Sequence, residues 1–554
     1  MRTIDTRASK PRVLVIGLDG ATFDIIQPLV AAGRLPVLGR LMQEGSYGPL
    51  RSTCPPITPT AWTSFSTGKN PGNHGIYDFE KIDCGTYEFR PVPSNQHGQP
   101  TLWRILSERG MRSVVVDVPF TYPPEAIQGC MITGYGTPVL ERVVFTHPPE
   151  LRQELIEQCG SCEIATLGTK YNLSDDYFER WDQILASRAC IAPYLMEKED
   201  WDFFMIVYGV TDNMQHNLWA FLEPQHPAYH SDEGHHYRQR LFDTYDKVDE
   251  LAGELLACCD MDTHVLVMSD HGFGSTRTGK YLSKLLMDEG LIRYKGLPIL
   301  STPTSWLMQR LLGLYHSTPF LGNIVRRLSG KQKMDLKQAL TRSALLPAAE
   351  NIDWDHTLAF PGGYGLQVYI HRKDRFPRGT VSPGKEYEEL VEQIRERLLA
   401  LACPVSGEPV IKAVYRANEI YRGPFADQSP DLIVEYNNVY EPNRVNASER
   451  LNPGLEGNHT MDGIFIGHGS HFLAGVPVEP QIIDLAPTIF YLLNLPVPRD
   501  MDGQVLTEII EPDCLAQRPV VCVDATVAPV FQDGYSPEEA ESVREQLRAL
   551  GYID

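Results

Sequence analysis

The sequence has no run of about eighteen uncharged apolar residues, the length that would mark a membrane-spanning helix. Its first stretch, Met1 to Arg12, is polar and lacks the apolar segment of a secretory signal. The eleven cysteines are odd in number and scattered, without the spacing of a disulfide framework. Together these absences predict a cytoplasmic protein in a reducing compartment. Positive charge is also short. A formal net charge of −21 makes the chain a poor electrostatic partner for a nucleic-acid polymer, and none is expected. Internal repeats and long low-complexity tracts are missing as well.

What remains is an ordinary globular balance, 42% hydrophobic and 22% charged residues. At 554 residues the chain is long enough for two or more domains, or for one large domain with insertions. Val13-Leu14-Val15-Ile16-Gly17-Leu18 is a short β-branched run that reads as a buried strand, and similar runs occur at 113–116, 203–208, 265–268 and 463–466. Amphipathic helical stretches at 38–44, 102–109 and 245–258 lie between them. This alternation predicts an α/β fold: a mostly parallel sheet with helices on both faces. Chemistry in such sheets gathers at the carboxyl ends of the strands.

The expected organisation is a core over 11–290, a basic helical cap insertion over 291–350, a mixed α/β excursion over 351–450, a second part of the core over 451–510 and a C-terminal extension over 511–554. The excursion holds strands at 366–371 and 431–436 and a helix at 386–402. The extension ends in a helix from 536 to 550, with Ser536 as N-cap and Pro537 at the first helical position. In the cap region, Thr276 to Ala348 contains twelve Lys and Arg against Asp288, Glu289 and Asp335.

Four strand ends carry acidic or imidazole groups. The first ends in Gly17-Leu18-Asp19-Gly20. The strand at 203–208 leads to Asp212-Asn213-Met214-Gln215-His216, the strand at 265–268 to Ser269-Asp270-His271-Gly272, and the last strand follows Gly457-Asn458-His459. Each residue alone reads as a turn, a cap or a solvated side chain. As a set, three Asp and three His suit Zn, Mn or Fe, and the lack of thiolate argues against a structural zinc site.

Thr58 joins them in Pro55-Pro56-Ile57-Thr58-Pro59-Thr60-Ala61-Trp62-Thr63-Ser64-Phe65-Ser66-Thr67-Gly68. It reads as an N-cap, with Pro59 at the first helical position and Gly68 closing the helix. A hydroxyl there also sits in positive potential, which favours an alkoxide and an incoming phosphate, and a metal would lower its pKa further.

These motifs, with the later Asp484-Leu485-Ala486-Pro487-Thr488 and Asp500-Met501-Asp502-Gly503, resemble the alkaline phosphatase superfamily, in its type I phosphodiesterase/nucleotide pyrophosphatase-like branch. The resemblance runs from Val13 to about Gly503. It implies an alkaline phosphatase-like fold with two divalent transition-metal ions, Zn or alternatively Mn. Asp19, Thr58, Asp270 and His271 would hold one ion, and Asp212, His216 and His459 the other. It further implies hydrolysis of a small anionic phosphate mono- or diester through a phosphothreonine-type intermediate on Thr58. In the same fold an acceptor hydroxyl replacing water would give a phosphotransferase or phosphomutase, and loss of activity would leave a metal-binding scaffold. The sequence departs from the nucleotide pyrophosphatases at Ala61, where they carry an Asn that steadies the phosphate oxygens. Pro59 has no N–H to offer. Thr60, Lys69 or the basic cap are the candidates to substitute, and Lys69 is taken as a substrate-binding residue.

Other features are weaker. Cys54-Pro55-Pro56-Ile57-Thr58 resembles the start of a sulfatase site but lacks its Arg. Cys159-Gly160-Ser161-Cys162 has redox or zinc spacing but no second pair. His230, His235 and His236 cluster after His216 and read as a solvated loop, or as residues bordering the site. The apolar and basic stretch at 306–314, with Arg310, Arg326 and Arg327, reads either as a packed cap helix or as a surface for a lipid or phosphate substrate.

Overall fold

The computed structural model describes residues 10–93, 98–165, 173–224, 226, 228–275, 279–295, 351–362, 365–403, 407–437, 457–525, 527 and 534–550. Its central sheet has eight strands in the order Ser46–Arg51, Asp462–His468, Thr263–Met268, Arg12–Leu18, Phe203–Tyr208, Ser113–Val118, Gly129–Thr133 and Thr146–His147. Arg12–Leu18 lies in the middle and runs parallel to both neighbours, with Ile16 opposite Ile206 on one side and Val267 on the other. Four of the five apolar runs read as strands, those at 13–18, 113–116, 203–208 and 265–268, are parallel strands of this sheet, because a strand covered on both faces has no polar side to show.

The two faces follow the alternation of side chains along a strand. Leu14, Ile16 and Leu18 point into a core shared with the helices Phe23–Ala31, Pro36–Glu44, Asp175–Lys198 and Asp232–Ala257. Val13 and Val15 point into a second core with Thr58–Thr67, Leu102–Glu108 and Leu485–Leu492. The sheet is therefore sandwiched by helices, as the alternating pattern predicts. No single helix among the described residues is long and apolar enough to cross a membrane.

Asp462–His468 departs from the parallel rule: it runs antiparallel to Thr263–Met268 and to Ser46–Arg51. Its start, not its end, therefore lies at the carboxyl end of the parallel strands. That reversal explains why His459 precedes its strand while the other site residues follow theirs.

A second, antiparallel sheet has the order Ala359–Pro361, Gln367–Ile370, Leu432–Tyr436 and Ile411–Arg416, with the helix Lys385–Leu399 packed on it around its own apolar cluster. The connection between Ile411–Arg416 and Leu432–Tyr436 reaches the segments on either side of the Thr58–Thr67 helix: Tyr421 Oη donates to the Cys54 carbonyl, and Tyr77 Oη donates to the Phe425 carbonyl. The expected cap over 291–350 falls largely outside the described residues, as do Arg310, Arg326, Arg327 and the stretch at 306–314. The last helix spans Pro537–Leu550, and Ser536 and Glu539 cap it reciprocally: Glu539 N–H donates to Ser536 Oγ and Ser536 N–H to the Glu539 carboxylate.

The cytoplasmic expectation is corrected here. Cys159 is joined to Cys190 in a disulfide, with Cα atoms 5.7 Å apart, and disulfides persist in oxidising surroundings. The scattered cysteines hid this pair because the bond joins two consecutive helices, Leu151–Cys159 and Asp175–Lys198, through residues 31 apart that only helix packing brings together. Cys162, its partner in the Cys-x-x-Cys reading, is a free buried thiol.

Candidate active site

The carboxyl ends of three parallel strands and the start of the antiparallel one converge on a single point. Asp19 follows Arg12–Leu18 directly. Phe203–Tyr208 leads into the helix Val210–Leu218, where Asp212 and His216 stand four residues apart on one face. Thr263–Met268 ends in Ser269, Asp270 and His271, after which Gly272–Gly274 pairs with Asn458–Thr460 and sets Phe273 opposite His459. Thr58 opens the helix Thr58–Thr67. Ile57 is the cap and Pro59 lies one residue later than a first-position proline, so Thr58 is the first helical residue rather than the cap, a shift of one residue. Gly68 closes the helix at φ 65°, as its residue type suggests.

All seven side chains are buried. Thr58 Oγ1 lies 3.3 Å from His271 Nε2. His271 Nε2 is 3.3 Å from Asp270 and 3.7 Å from Asp19. On the other side, Asp212 Oδ1 is 3.3 Å from Nε2 of both His216 and His459, which stand 3.0 Å from each other. Two groups can each hold a metal ion, Asp212 with His216 and His459, and Asp19 with Asp212 and His271. Asp212 belongs to both.

The surrounding hydrogen bonds favour cations. The three Nδ1 atoms face backbone carbonyls: His216 that of Gly457, His459 that of Pro56 and His271 that of Gly272. A carbonyl only accepts, so Nδ1 carries the hydrogen and Nε2 keeps its lone pair for the site. The lone pairs of His216 and His459 would repel at 3.0 Å unless they share a cation. Asp19 Oδ1 and Asp270 Oδ2 are buried and accept no hydrogen bond. A donor set of imidazole nitrogens and carboxylates with unsatisfied oxygens fits divalent transition metals.

The titration behaviour agrees. Burial, then the charges of Asp270 and Asp212, pushes Asp19 well above the usual carboxylate range. Burial, then the charge of Asp212, does the same to Asp270. Burial also opposes ionisation of Asp212, but positive charge on the side of His216 and His459 overcomes it and holds that carboxyl well below its ordinary value. Burial first, then the neighbouring His459, holds His271 well down, and burial lowers His459. Three buried carboxylates cannot all ionise together unless positive charge compensates them.

Several residues that shape the site were not read from the sequence. Trp62 Nε1 donates to Asp19 Oδ2 at 3.1 Å, and Gly20 N–H donates to Asp270 Oδ1 at 3.2 Å. Gly20 has φ +66°, a conformation that favours glycine, and a Cβ there would crowd Asp212 Oδ1 at 3.1 Å. Gln215 Nε2 donates to the Gly20 carbonyl, and Thr211 Oγ1 to the Asp19 carbonyl. Trp62 could have been found from helix spacing, since it lies four residues after Thr58 on the same face.

Lys69 is not brought to this point. It follows the far end of the Thr58–Thr67 helix, and its ammonium bonds Gln99 and Asp500. Thr60 is buried in the first turn, with no hydrogen-bond partner at Oγ1. Ala61 is buried in the same turn. His230, His235 and His236 are exposed; the last two lie in the helix Asp232–Ala257 rather than in a loop.

Comparison with known proteins identifies the family. The type I phosphodiesterase / nucleotide pyrophosphatase family model matches residues 13–462. The search of curated protein sequences gives no match. Among solved structures, human ectonucleotide pyrophosphatase / phosphodiesterase 5 is similar at 15% identity, over 90% of this chain and 100% of that one, with a TM-score of 0.47. Phosphonoacetate hydrolase from Sinorhizobium meliloti 1021, in complex with phosphonoformate, is similar at 14% identity, over 87% of this chain and 96% of that one, with a TM-score of 0.49. With the family's motifs folded into two cation-binding groups at the strand ends, the chain belongs to the type I phosphodiesterase / nucleotide pyrophosphatase family, as a metal-dependent phosphoesterase of the alkaline phosphatase superfamily.

Proposed function

We propose that the enzyme hydrolyses a small anionic phosphate ester through a covalent phosphothreonine on Thr58. The observation that carries this reading is the position of Thr58 Oγ1, buried and 3.3 Å from His271 Nε2, at the edge of the two cation-binding groups. Asp19, Thr58, Asp270 and His271 would hold one ion, and Asp212, His216 and His459 the other, with Asp212 close enough to serve both. When bound, the ions supply Lewis-acid charge to the phosphoryl oxygens and acidify the attacking hydroxyl.

Thr58 Oγ1 gives up its proton to solvent as it attacks phosphorus, the bond to the leaving oxygen breaks, that oxygen takes up a proton from solvent, and the phosphoryl group rests on the threonine. Water then attacks the same phosphorus, losing a proton to solvent, and the bond to Oγ1 breaks, so that Oγ1 regains its proton and the threonine is freed. The N-terminus of the Thr58–Thr67 helix favours the negative charge that builds up on the phosphoryl oxygens. The Asn of the nucleotide pyrophosphatases has no counterpart at Ala61, and the Thr60 hydroxyl in the same turn is the nearest group in sequence able to donate in its stead.

Thr58→Ala tests this. The variant keeps the helix and the six other ligands, so it should fold and still bind metal at the Asp212, His216 and His459 group. Its turnover of an aryl phosphate ester should fall by about three orders of magnitude or more. Thr58→Ser should retain part of the rate, since the hydroxyl survives while the methyl that fixes its rotamer is lost. Near wild-type turnover by Thr58→Ala would refute the nucleophile.

A further inference from the structure

The last helix, Pro537–Leu550, lies outside the segment that the family model matches, yet it packs beside the candidate nucleophile. Val543 and Leu547, four residues apart on one face, are 1% and 0% exposed. They share an apolar cluster with Ile57, Phe79, Phe120 and Leu366. Ile57 is the residue immediately before Thr58 and caps its helix.

The same helix and the residues just before it grip the two loops that leave the carboxyl ends of Gly129–Thr133 and Ser113–Val118, on the side of the sheet where the site lies. Ser542 Oγ accepts from Val139 N–H at 3.0 Å, and Gln546 Nε2 donates to the Thr137 carbonyl at 3.0 Å. Tyr535 Oη donates to the Gly136 carbonyl at 2.8 Å, and its ring stacks on Tyr122, whose hydroxyl donates to Glu539. Within the loop after Ser113–Val118, which also carries Tyr122, Phe120 is held at φ 55°, a left-handed conformation that a bulky residue avoids. Its ring packs against Phe79 in the cluster that contains Ile57.

We infer that the last helix is a positioning element of the reaction: Val543 and Leu547, through Ile57 and Phe120, fix where the Thr58 hydroxyl stands. The inference rests on Thr58 being the nucleophile. A covalent attack needs its oxygen held in place to within a fraction of an ångström, and a helix cap seated in a closed apolar cluster supplies that constraint. Deleting one anchor should therefore slow the chemical step and leave in place the Asp and His side chains of the cation-binding groups, which the strand ends and the helix Val210–Leu218 carry.

The test uses the metal-loaded full-length chain with p-nitrophenyl phosphate and bis(p-nitrophenyl) phosphate, whichever turns over faster. Leu547→Ala should lower kcat by about ten- to a hundredfold with KM and metal content little changed. Leu547→Ile should recover most of the rate. An unchanged kcat in Leu547→Ala overturns the inference. So does a loss of kcat that only tracks lost metal and a lower melting temperature, since the helix would then be a stabiliser alone. Thr58→Ala, run in parallel, separates the two readings. If Thr58→Ala is inactive and Leu547→Ala fully active, only the positioning role fails; if Thr58→Ala is active, the nucleophile itself fails.

Discussion

Trp62→Phe probes the site without touching a proposed ligand. The indole N–H donates to Asp19 Oδ2 at 3.1 Å in a buried setting, and a hydrogen bond to a charged group contributes about 1.5–3 kcal/mol. Loss of an outer partner of a metal ligand typically weakens metal binding by about 10- to 100-fold, or about 1.4–2.7 kcal/mol, which is the same range. Phe keeps an aromatic ring near Phe65, whose centroid lies 5.8 Å from that of Trp62, but it is smaller and leaves space beside Gly17. That packing loss is present with and without metal, so it cancels in the difference between the two states. The assay is a competition titration with a metal-sensitive dye, with melting temperatures measured in metal and in chelator. One of two metal equivalents should weaken about 10- to 100-fold, and the stabilisation that metal confers should shrink by about 2 kcal/mol. The Asp212, His216 and His459 equivalent should hold its affinity. Asp19 also becomes easier to protonate without the indole donor, which lowers its carboxyl pKa, so the weakened equivalent should be lost at higher pH than in the wild type. Unchanged affinity at both equivalents, or equal weakening of both, would refute the assignment of Trp62 to the Asp19 carboxylate.

Other expectations concern stability. Burial first, then His471 and Arg518, pushes His264 down to about 3. An unfolded His titrates near about 6.5, so the unfolded chain takes up the proton first; the stability from neutral His264 is complete above that value and drains away as pH falls towards about 3. By about pH 4.5 the loss should reach about 3 kcal/mol, and urea unfolding should show His264→Phe to have a flatter pH profile; an unaltered slope would count against it. Arg188 forks onto buried Asp117 with contacts of 2.5 and 3.0 Å, and Arg188→Met should cost about 3–5 kcal/mol in denaturant unfolding, with Asp117→Asn recovering part of it. Removing the Cys159–Cys190 bond, 31 residues apart in sequence, should cost about 4 kcal/mol on the chain-entropy estimate. The unfolded, unreduced chain should titrate nine thiols, rising to eleven after reduction; eleven from the start would show that no such bond forms.

The parallel core was legible because its strands are buried on both faces and so become unbroken apolar runs, as at Val13 to Leu18 and Phe203–Tyr208. The Asp212 and His216 pair was legible for a local reason too, since a four-residue spacing puts two side chains on one helix face. The ends of elements were less so. Thr58 is the first helical residue and not the cap, because Thr, Pro and the residues around them allow the helix to start one position either way. Lys69 attracted attention by charge and by its nearness to Thr58 in sequence, but a helix of ten residues is about 15 Å long and carries it away from the site.

Sequence by itself determined the alternating pattern, the strand-end Asp and His residues and the helix that begins at Thr58, since each depends on neighbours within a few positions. Only the tertiary structure decided which of them meet. His459 joins Asp212 across more than two hundred residues because the strand Asp462–His468 turns antiparallel and so presents its start to the carboxyl ends of the others. The indole of Trp62 reaches Asp19, Cys159 finds Cys190, and Leu547 shares a cluster with Ile57 for the same kind of reason. Such contacts are set by how sheets and helices pack, and local spacing carries no record of them because packing depends on the whole apolar surface being buried at once.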